Sequence, residues 1–242
     1  FASDAIGLAY RKEAYPAPPE RWIDLVRGPS PFVFPAGDPA ALVLLAQYES
    51  LGGTLIDVSR RPSLDPAQLT AVLDWVGRLH EAGRLPLSAS QMTSTSEAWS
   101  ALLDGRAVSS AASFREFALL ANTEDFGFVP PPGQDGPGQA YASTWSWVLL
   151  AQNAGSSSLP LELLVWLTQP DFAGLQAREA GLLPAVRAGL DFWPQDALTS
   201  TATGLLDSLR EVPSLDLQAA LGPRVRDASL AVLTRKADAA TA

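Results

Sequence analysis

The sequence contains no cysteine, one histidine and one methionine. Without cysteine there is no disulfide, no thiolate nucleophile and no Cys-ligated zinc. One histidine excludes metal sites built from several imidazoles. That residue, His80, lies in "WVGRLHEAG", a helical context beside Glu81, which reads as a helix-face histidine and not as part of a Ser-His-Asp triad. G-x-S-x-G, H-E-x-x-H, G-x-x-x-x-G-K-[ST] and a strand-borne G-x-G-x-x-G are all missing. No metal, no cofactor and no catalytic residue is therefore expected. Basic residues are also scarce, 17 Lys and Arg against 26 Asp and Glu, for a formal charge of −9. That field opposes phosphate, so nucleic acid and anionic membrane are poor partners. Arg60-Arg61 and Arg235-Lys236 are too short to reverse it. No apolar run approaches the ~20 residues of a membrane helix, so no membrane insertion by these residues is expected. The opening "FASDAIGLAYRKEAY" lacks the basic-then-apolar order of a signal peptide. An exported form would carry its signal outside these residues.

What is present is a globular balance of 47% hydrophobic and 18% charged residues, over a length that buries a sizeable core. Asp4 to Tyr10 alternates weakly, as a strand does. "PAPPERW" interrupts it, Arg21 to Val26 forms a short helix, and "PFVF" is a short buried strand. In "AGDPAALVLLAQYESLGG", Asp38 caps a helix, Pro39 takes its first position and Gly52-Gly53 ends it. Asp65, Pro66 and Gly83 repeat the device around a stripe of Leu69, Val72, Leu73, Val76 and Leu79. A helix over 96–103, strands over 107–111 and 126–129, and a loop in "PPPGQDGPGQ" follow. "QAYASTWSWVLLAQN" reads as a further strand. Helices are predicted over 161–168, 172–180 and within 221–233, and "ADAATA" reads as a frayed end. Helices interleave with strands, which predicts an α/β fold with helices packed on a sheet.

Carboxylates are plentiful, and glycoside hydrolysis needs only two. Most sit at helix starts or on polar faces, where capping explains them. Asn122 to Asp125 reads as a solvated loop before a catalytic one. The tryptophans are more informative. Trp145 and Trp147 share parity on a strand, beside Ser143, Thr144 and Ser146. Trp75 and Trp99 lie on amphipathic helices and belong to the core; Trp22, Trp147, Trp166 and Trp193 read as packing.

Several stretches in order resemble the extracellular solute-binding proteins that include maltose-binding protein, the capture subunits of ABC importers. "LAYRKEAYPAPPERWIDL" is similar to that family's hinge strand, its Y-x-K-[DE] turn and P-P-x-T-W-x-E-L. Tyr10, Lys12, Glu13, Pro18, Pro19 and Trp22 match; Arg21 and Asp24 depart from it. "LLAQYESLGGTLID", "DPAQLTAVLDWVGRLHEAGRLP", "STSEAWSALLDGRAVSSAAS", "FGFVPPPGQDGPG" and "PLELLVWLTQPDFAGLQAREAGLLPAV" resemble later family segments in the same order. In the family the Tyr-x-Lys segment comes well into the mature chain. Here it begins at Tyr10, so the first portion of lobe one is expected to be missing and the 161–180 helices to lack its sheet.

The resemblance implies a type II periplasmic-binding-protein-like lobe, with helices on a mixed sheet and a partial second lobe. Residues 1–10 would be a hinge strand, 11–144 the first part of lobe two, 145–189 the hinge crossing with lobe-one helices, and 190–242 the rest of lobe two. The implied role is capture of an extracytoplasmic solute by hinge closure and delivery to a membrane permease, in the periplasm or at the cell surface. The solute would be a carbohydrate, an oligosaccharide or a monosaccharide. Another solute (polyamine, polyol or phosphate ester) and, further off, a carboxylate glycosidase are the alternatives. Trp145 leads the implied ligand contacts, because a flat indole covers the C–H face of a pyranose while hydroxyls bond to polar neighbours. Tyr141, Ser143 and Thr144 lie near it in sequence. Gly37, Asp38 and Pro39 at a helix start, Phe114 and Arg115 after a strand, and Arg226 in the last helix complete the set. Simple capping is the alternative for Asp38, and a surface salt bridge for Arg226.

Overall fold

The computed structural model describes residues 1–120, 124–150 and 159–242. Strand β1 (Ala2–Arg11) leads to helix α1 (Trp22–Arg27), strand β2 (Phe32–Val33), and helices α2 (Leu42–Ser50), α3 (Pro66–Glu81) and α4 (Thr95–Leu103). Strand β3 (Ser109–Ser113), helix α5 (Phe114–Ala118), and strands β4 (Phe126–Val129) and β5 (Ala140–Trp145) follow. Then come α6 (Leu159–Leu167), α7 (Pro170–Glu179), β6 (Leu183–Pro184), α8 (Ala197–Leu206), β7 (Leu209–Glu211) and α9 (Leu215–Leu233).

The sheet is mixed, in the order β2-β3-β1-β5-β7, with β4 and β6 also on β1. β1 joins two halves. Its first residues pair antiparallel with β5 and β6, and its later residues pair antiparallel with β3 and β4. β2 runs parallel to β3, and β7 parallel to β5.

Alternation along β1 sends side chains to two cores. Leu8 and Tyr10 join Trp22, Phe34, Trp75 and Tyr141 beneath α2, α3 and α9. Ala5 and Ala9 join Trp99, Phe114, Phe128, Leu183 and Trp193 beneath α5, α7 and α8. The α3 stripe packs as its spacing predicts, with Val72, Leu73, Trp75, Val76 and Leu79 buried. Asp65 accepts the Ala67 N–H at 2.8 Å and opens the helix; Gly83, at φ 69°, closes it.

Several boundaries differ from the sequence reading. α2 begins at Leu42, not Pro39, because Ala41 is left-handed at φ 49°. β3 starts at Ser109, not Ala107, because the Arg106 and Ala107 N–H groups close α4 on the Ala101 carbonyl at 2.9 and 3.0 Å. α9 starts before its internal Pro223. β5 ends at Trp145; residues 151–153 of the predicted strand lie outside the described residues. The "ADAATA" end is a turn, with the Asp238 carboxylate accepting the Thr241 N–H at 2.9 Å. Trp147 is exposed instead of packed inside, and stacks on Phe1 at 4.6 Å. Trp166 is likewise exposed, its ring tilted over Phe172 at 4.2 Å.

Three buried phenols give the fold a pH limit. The Tyr141 hydroxyl donates to Glu49 Oε2 at 2.5 Å, and Arg210 pairs with the same carboxylate at 3.1 Å. Burial first, then the hydrogen bond to Glu49 and that carboxylate's charge, pushes Tyr141 well above the usual phenol range. Burial also raises Tyr10 and Tyr15. A raised phenol stays protonated when folded, whereas unfolded tyrosine ionises near pH ~10. The associated stability is therefore present below that pH and is lost as pH climbs above it. Urea midpoints measured from pH 8 to 11 are expected to hold and then fall, with a shallower fall in Tyr141→Phe. Midpoints flat across that range would contradict the assignment.

Candidate functional site

At the β1–β5 seam the strand leaves the core. Ala140, Tyr141 and Ala142 are buried, while Ser143, Thr144 and Trp145 are exposed. The register sets Asp4 against Ser143, Ser3 against Thr144 and Ala2 against Trp145. Trp145 is 44% exposed, and its carbonyl accepts a hydrogen bond from the Phe1 amino group. The indole is thus fixed by its backbone while its ring stays open to solvent.

Asp4 draws a third segment to this seam. Its carboxylate accepts from the Ser113 hydroxyl at 2.7 Å and from the Arg115 N–H at 3.0 Å. Ser113 also caps α5, with Glu116 closing the capping box. Arg115 is exposed, and its Nε donates to the Ala180 carbonyl at 3.4 Å. Asp4 therefore ties β1 to the start of α5 and sits beside Ser143 on the strand face that Trp145 shares, while Thr144 alternates to the other face and the Arg115 guanidinium turns to Ala180. That face offers a flat apolar surface together with donors and acceptors for hydroxyl groups. Asp4 was missed in the sequence reading. Its signal was a lone carboxylate inside the apolar strand "ASDAIGLAY".

The other candidates lie elsewhere. Tyr141 is 1% exposed and bound to Glu49, so it belongs to the core. The rise of the strand toward the surface comes two residues later. Phe114 is also core: the turn at Ser113 sends its ring inward, edge-on to Phe128 at 5.9 Å. The Gly37 N–H donates to the Met92 carbonyl at 2.9 Å, and a side chain there would meet the Ser90 carbonyl at 2.7 Å. Asp38 accepts the Ala40 and Leu42 N–H groups at 2.9 and 3.0 Å. Its carboxylate caps this turn. Pro39 is exposed, with its carbonyl against Gly222 of α9. Arg226 pairs with its neighbour Asp227 at 2.7 Å. The 37–39 turn and Arg226 thus belong to the α2–α9 layer. His80 is half-buried, with Nδ1 at 3.1 Å from the Leu85 carbonyl, as suits a helix-face residue. Of the 122–125 stretch, Asn122 and Thr123 lie outside the described residues.

No protein-family model matches the chain, and no curated protein matches it. Solved structures do. Maltose-bound MalE3 of T. maritima superposes with a TM-score of 0.73 at 20% identity, over 99% of this chain and 68% of that one. The cyclic alpha-maltosyl-1,6-maltose binding protein from Arthrobacter globiformis gives 0.77 at 15%, over 99% and 67%. The sugar-binding protein MalE from Xanthomonas citri gives 0.73 at 19%, over 98% and 65%. The chain therefore has the type II periplasmic-binding-protein fold and spans about two thirds of the length of these neighbours. The second and third of these are described as binding proteins, and the first as maltose-bound.

Proposed function

We propose that this chain is the larger part of an extracytoplasmic solute-binding protein that captures a carbohydrate and presents it to an importer's permease. The observation that carries the reading is the open indole of Trp145, on the same strand face as Ser143 and Asp4 of the β1–β5 pair. The fold shared with proteins described as maltose- and sugar-binding supports it. In this reading β1 and the end of β5 are hinge strands. Residues 11–144 and 190–242 form one lobe, and 145–189 carry the crossing and helices of the other. Closure follows because a ligand touching both sides gains all its contacts only in the closed state. No bond is made or broken.

The test is a calorimetric titration of the two-lobed protein to which, in this reading, the chain belongs, with maltose, maltotriose, spermidine, sorbitol and glycerol phosphate, followed by chromatography of the recovered ligand. Saturable binding of a maltooligosaccharide, recovered intact, is the expected result. Binding confined to spermidine or glycerol phosphate would overturn the carbohydrate assignment. Reducing sugar released in proportion to protein concentration would overturn the binding-protein assignment.

A further inference from the structure

Asp4 is a carboxylate without a cation. It accepts from the Ser113 hydroxyl and from the Arg115 main-chain N–H, both neutral donors. Among the described residues no ammonium or guanidinium pairs with it. The Arg115 guanidinium turns instead to the Ala180 carbonyl. The sequence has no Lys or Arg before Arg11 and none from residue 116 to residue 177, so neither the first ten residues nor β5 brings a cation to this seam. A carboxylate offers about four acceptor positions. Those two bonds leave part of that capacity, and all of the charge, unmatched.

The register joins this carboxylate to the open indole. Asp4 stands opposite Ser143, and Trp145 shares the parity of Ser143, so Asp4 and Trp145 are diagonal neighbours on one face. Diagonal neighbours in an antiparallel pair lie about 7–8 Å apart, within reach of an aromatic side chain. A pyranose lying on the indole therefore carries a substituent toward the carboxylate.

Both groups favour a positive charge in that substituent. The face of an indole attracts a cation through its quadrupole. A carboxylate bonds an ammonium more strongly than it bonds a neutral hydroxyl. The net charge of −9 adds a field that gathers cations at the surface. A neutral sugar uses the flat ring and the acceptor but leaves the charge of Asp4 unanswered. We propose that the solute is a saccharide bearing a protonated amine, with a ring on Trp145 and its ammonium on Asp4. This rests on the carbohydrate reading above and specifies it: a neutral maltooligosaccharide binds, and its amine-bearing counterpart binds better.

The two-lobed protein is titrated with maltotriose, with maltotriose analogues carrying an amine at C2 or at C6 of every ring, and with the N-acetylated forms of both. The buffer is held at about pH 6, where such amines are protonated. One amine series is expected to bind about tenfold tighter than maltotriose, because a hydrogen bond to a charged group is about twice as strong as a neutral one. Acetylation, which removes the charge, should remove the gain. Raising salt from about 0.05 to about 0.5 M should shrink it. Asp4→Asn should bring the ratio of the two affinities to about one, within the scatter of the titrations. That ratio is taken within one protein, so a general loss of affinity does not imitate it, and the salt series on the parent decides the matter if Asp4→Asn does not fold. Maltotriose bound as tightly as both amine analogues would overturn the proposal and leave the carbohydrate reading standing. So would an amine preference that survives Asp4→Asn or is indifferent to salt. Spermidine bound with no saccharide of either kind would overturn the carbohydrate reading and this proposal with it.

Discussion

Trp75→Ala is expected to cost about 3–5 kcal/mol of stability, the range for emptying a buried tryptophan site. The residue is 3% exposed at the middle of α3, between Val72 and Val76. Its ring stacks on Trp22 at 5.2 Å and on Phe34 at 6.4 Å, and tilts toward Phe32 at 6.2 Å. Three rings, Trp22 of α1 and Phe32 and Phe34 at and just after β2, therefore lose a common surface at once. The Trp22 indole is separately held by Gln47, its N–H donating at 2.7 Å, so it stays in place and the cavity does not close. At a few degrees of Tm per kcal/mol for a chain of this size, the variant should melt about 10 °C or more below the parent. Trp75→Phe separates packing from hydrogen bonding. The Trp75 indole N–H has no acceptor among the described residues. Phenylalanine keeps a stacking ring and removes that orphan donor, whose burial itself costs about 1–3 kcal/mol. Its loss should be well under half that of alanine. Thermal melts decide it, and an alanine variant melting within ~2 °C of the parent would show that the aromatic stack is not a keystone of this core.

Periodicity made α3 legible, because a stripe at helical spacing between a capping aspartate and a terminal glycine permits one reading. The α/β class and the fold resemblance were legible for the same reason: segment order survives where single matches are weak. α8 was not legible. "ALTSTATGLL" has small and β-branched residues and a glycine, so its propensity is poor, and it forms because Asp196 caps it and Ala202 and Leu205 are buried. β6 and β7 have two and three residues, too short to carry a period. Their pairing with β1 and β5 is a tertiary fact.

The site was legible only in part, for a related reason. Sequence neighbourhood put Tyr141 with Trp145, but a strand that rises out of the core changes environment within two residues. Phe114 and Arg115 are adjacent yet face opposite ways, because the cap at Ser113 turns the chain there. Asp4 and Arg115 meet across more than a hundred residues, and no local pattern announces that.

Trp145→Ala is expected to do the reverse of Trp75→Ala: to leave the melt nearly unchanged and to weaken carbohydrate binding. The ring lies at the last residue of β5 and is nearly half exposed, so its removal opens no sealed cavity. The strand end is held by main-chain pairing to Ala2 and by the Phe1 amino group on the Trp145 carbonyl, and neither depends on the side chain. What is lost is a flat face of the size that covers one pyranose. Stacking of that kind is worth about 1–3 kcal/mol, a fall in affinity of roughly tenfold to a hundredfold. Trp145→Phe should recover part of it, since a smaller ring still presents a face. Asp4→Asn probes the polar side of the same site: it keeps an acceptor for the Arg115 N–H and removes the charge, so it should weaken binding less than Trp145→Ala does. Each variant needs a melt and a maltotriose titration under one buffer. A Trp145→Ala protein that melts far below the parent, yet binds maltotriose normally when folded, would make the indole part of the core and move the site elsewhere on the molecule.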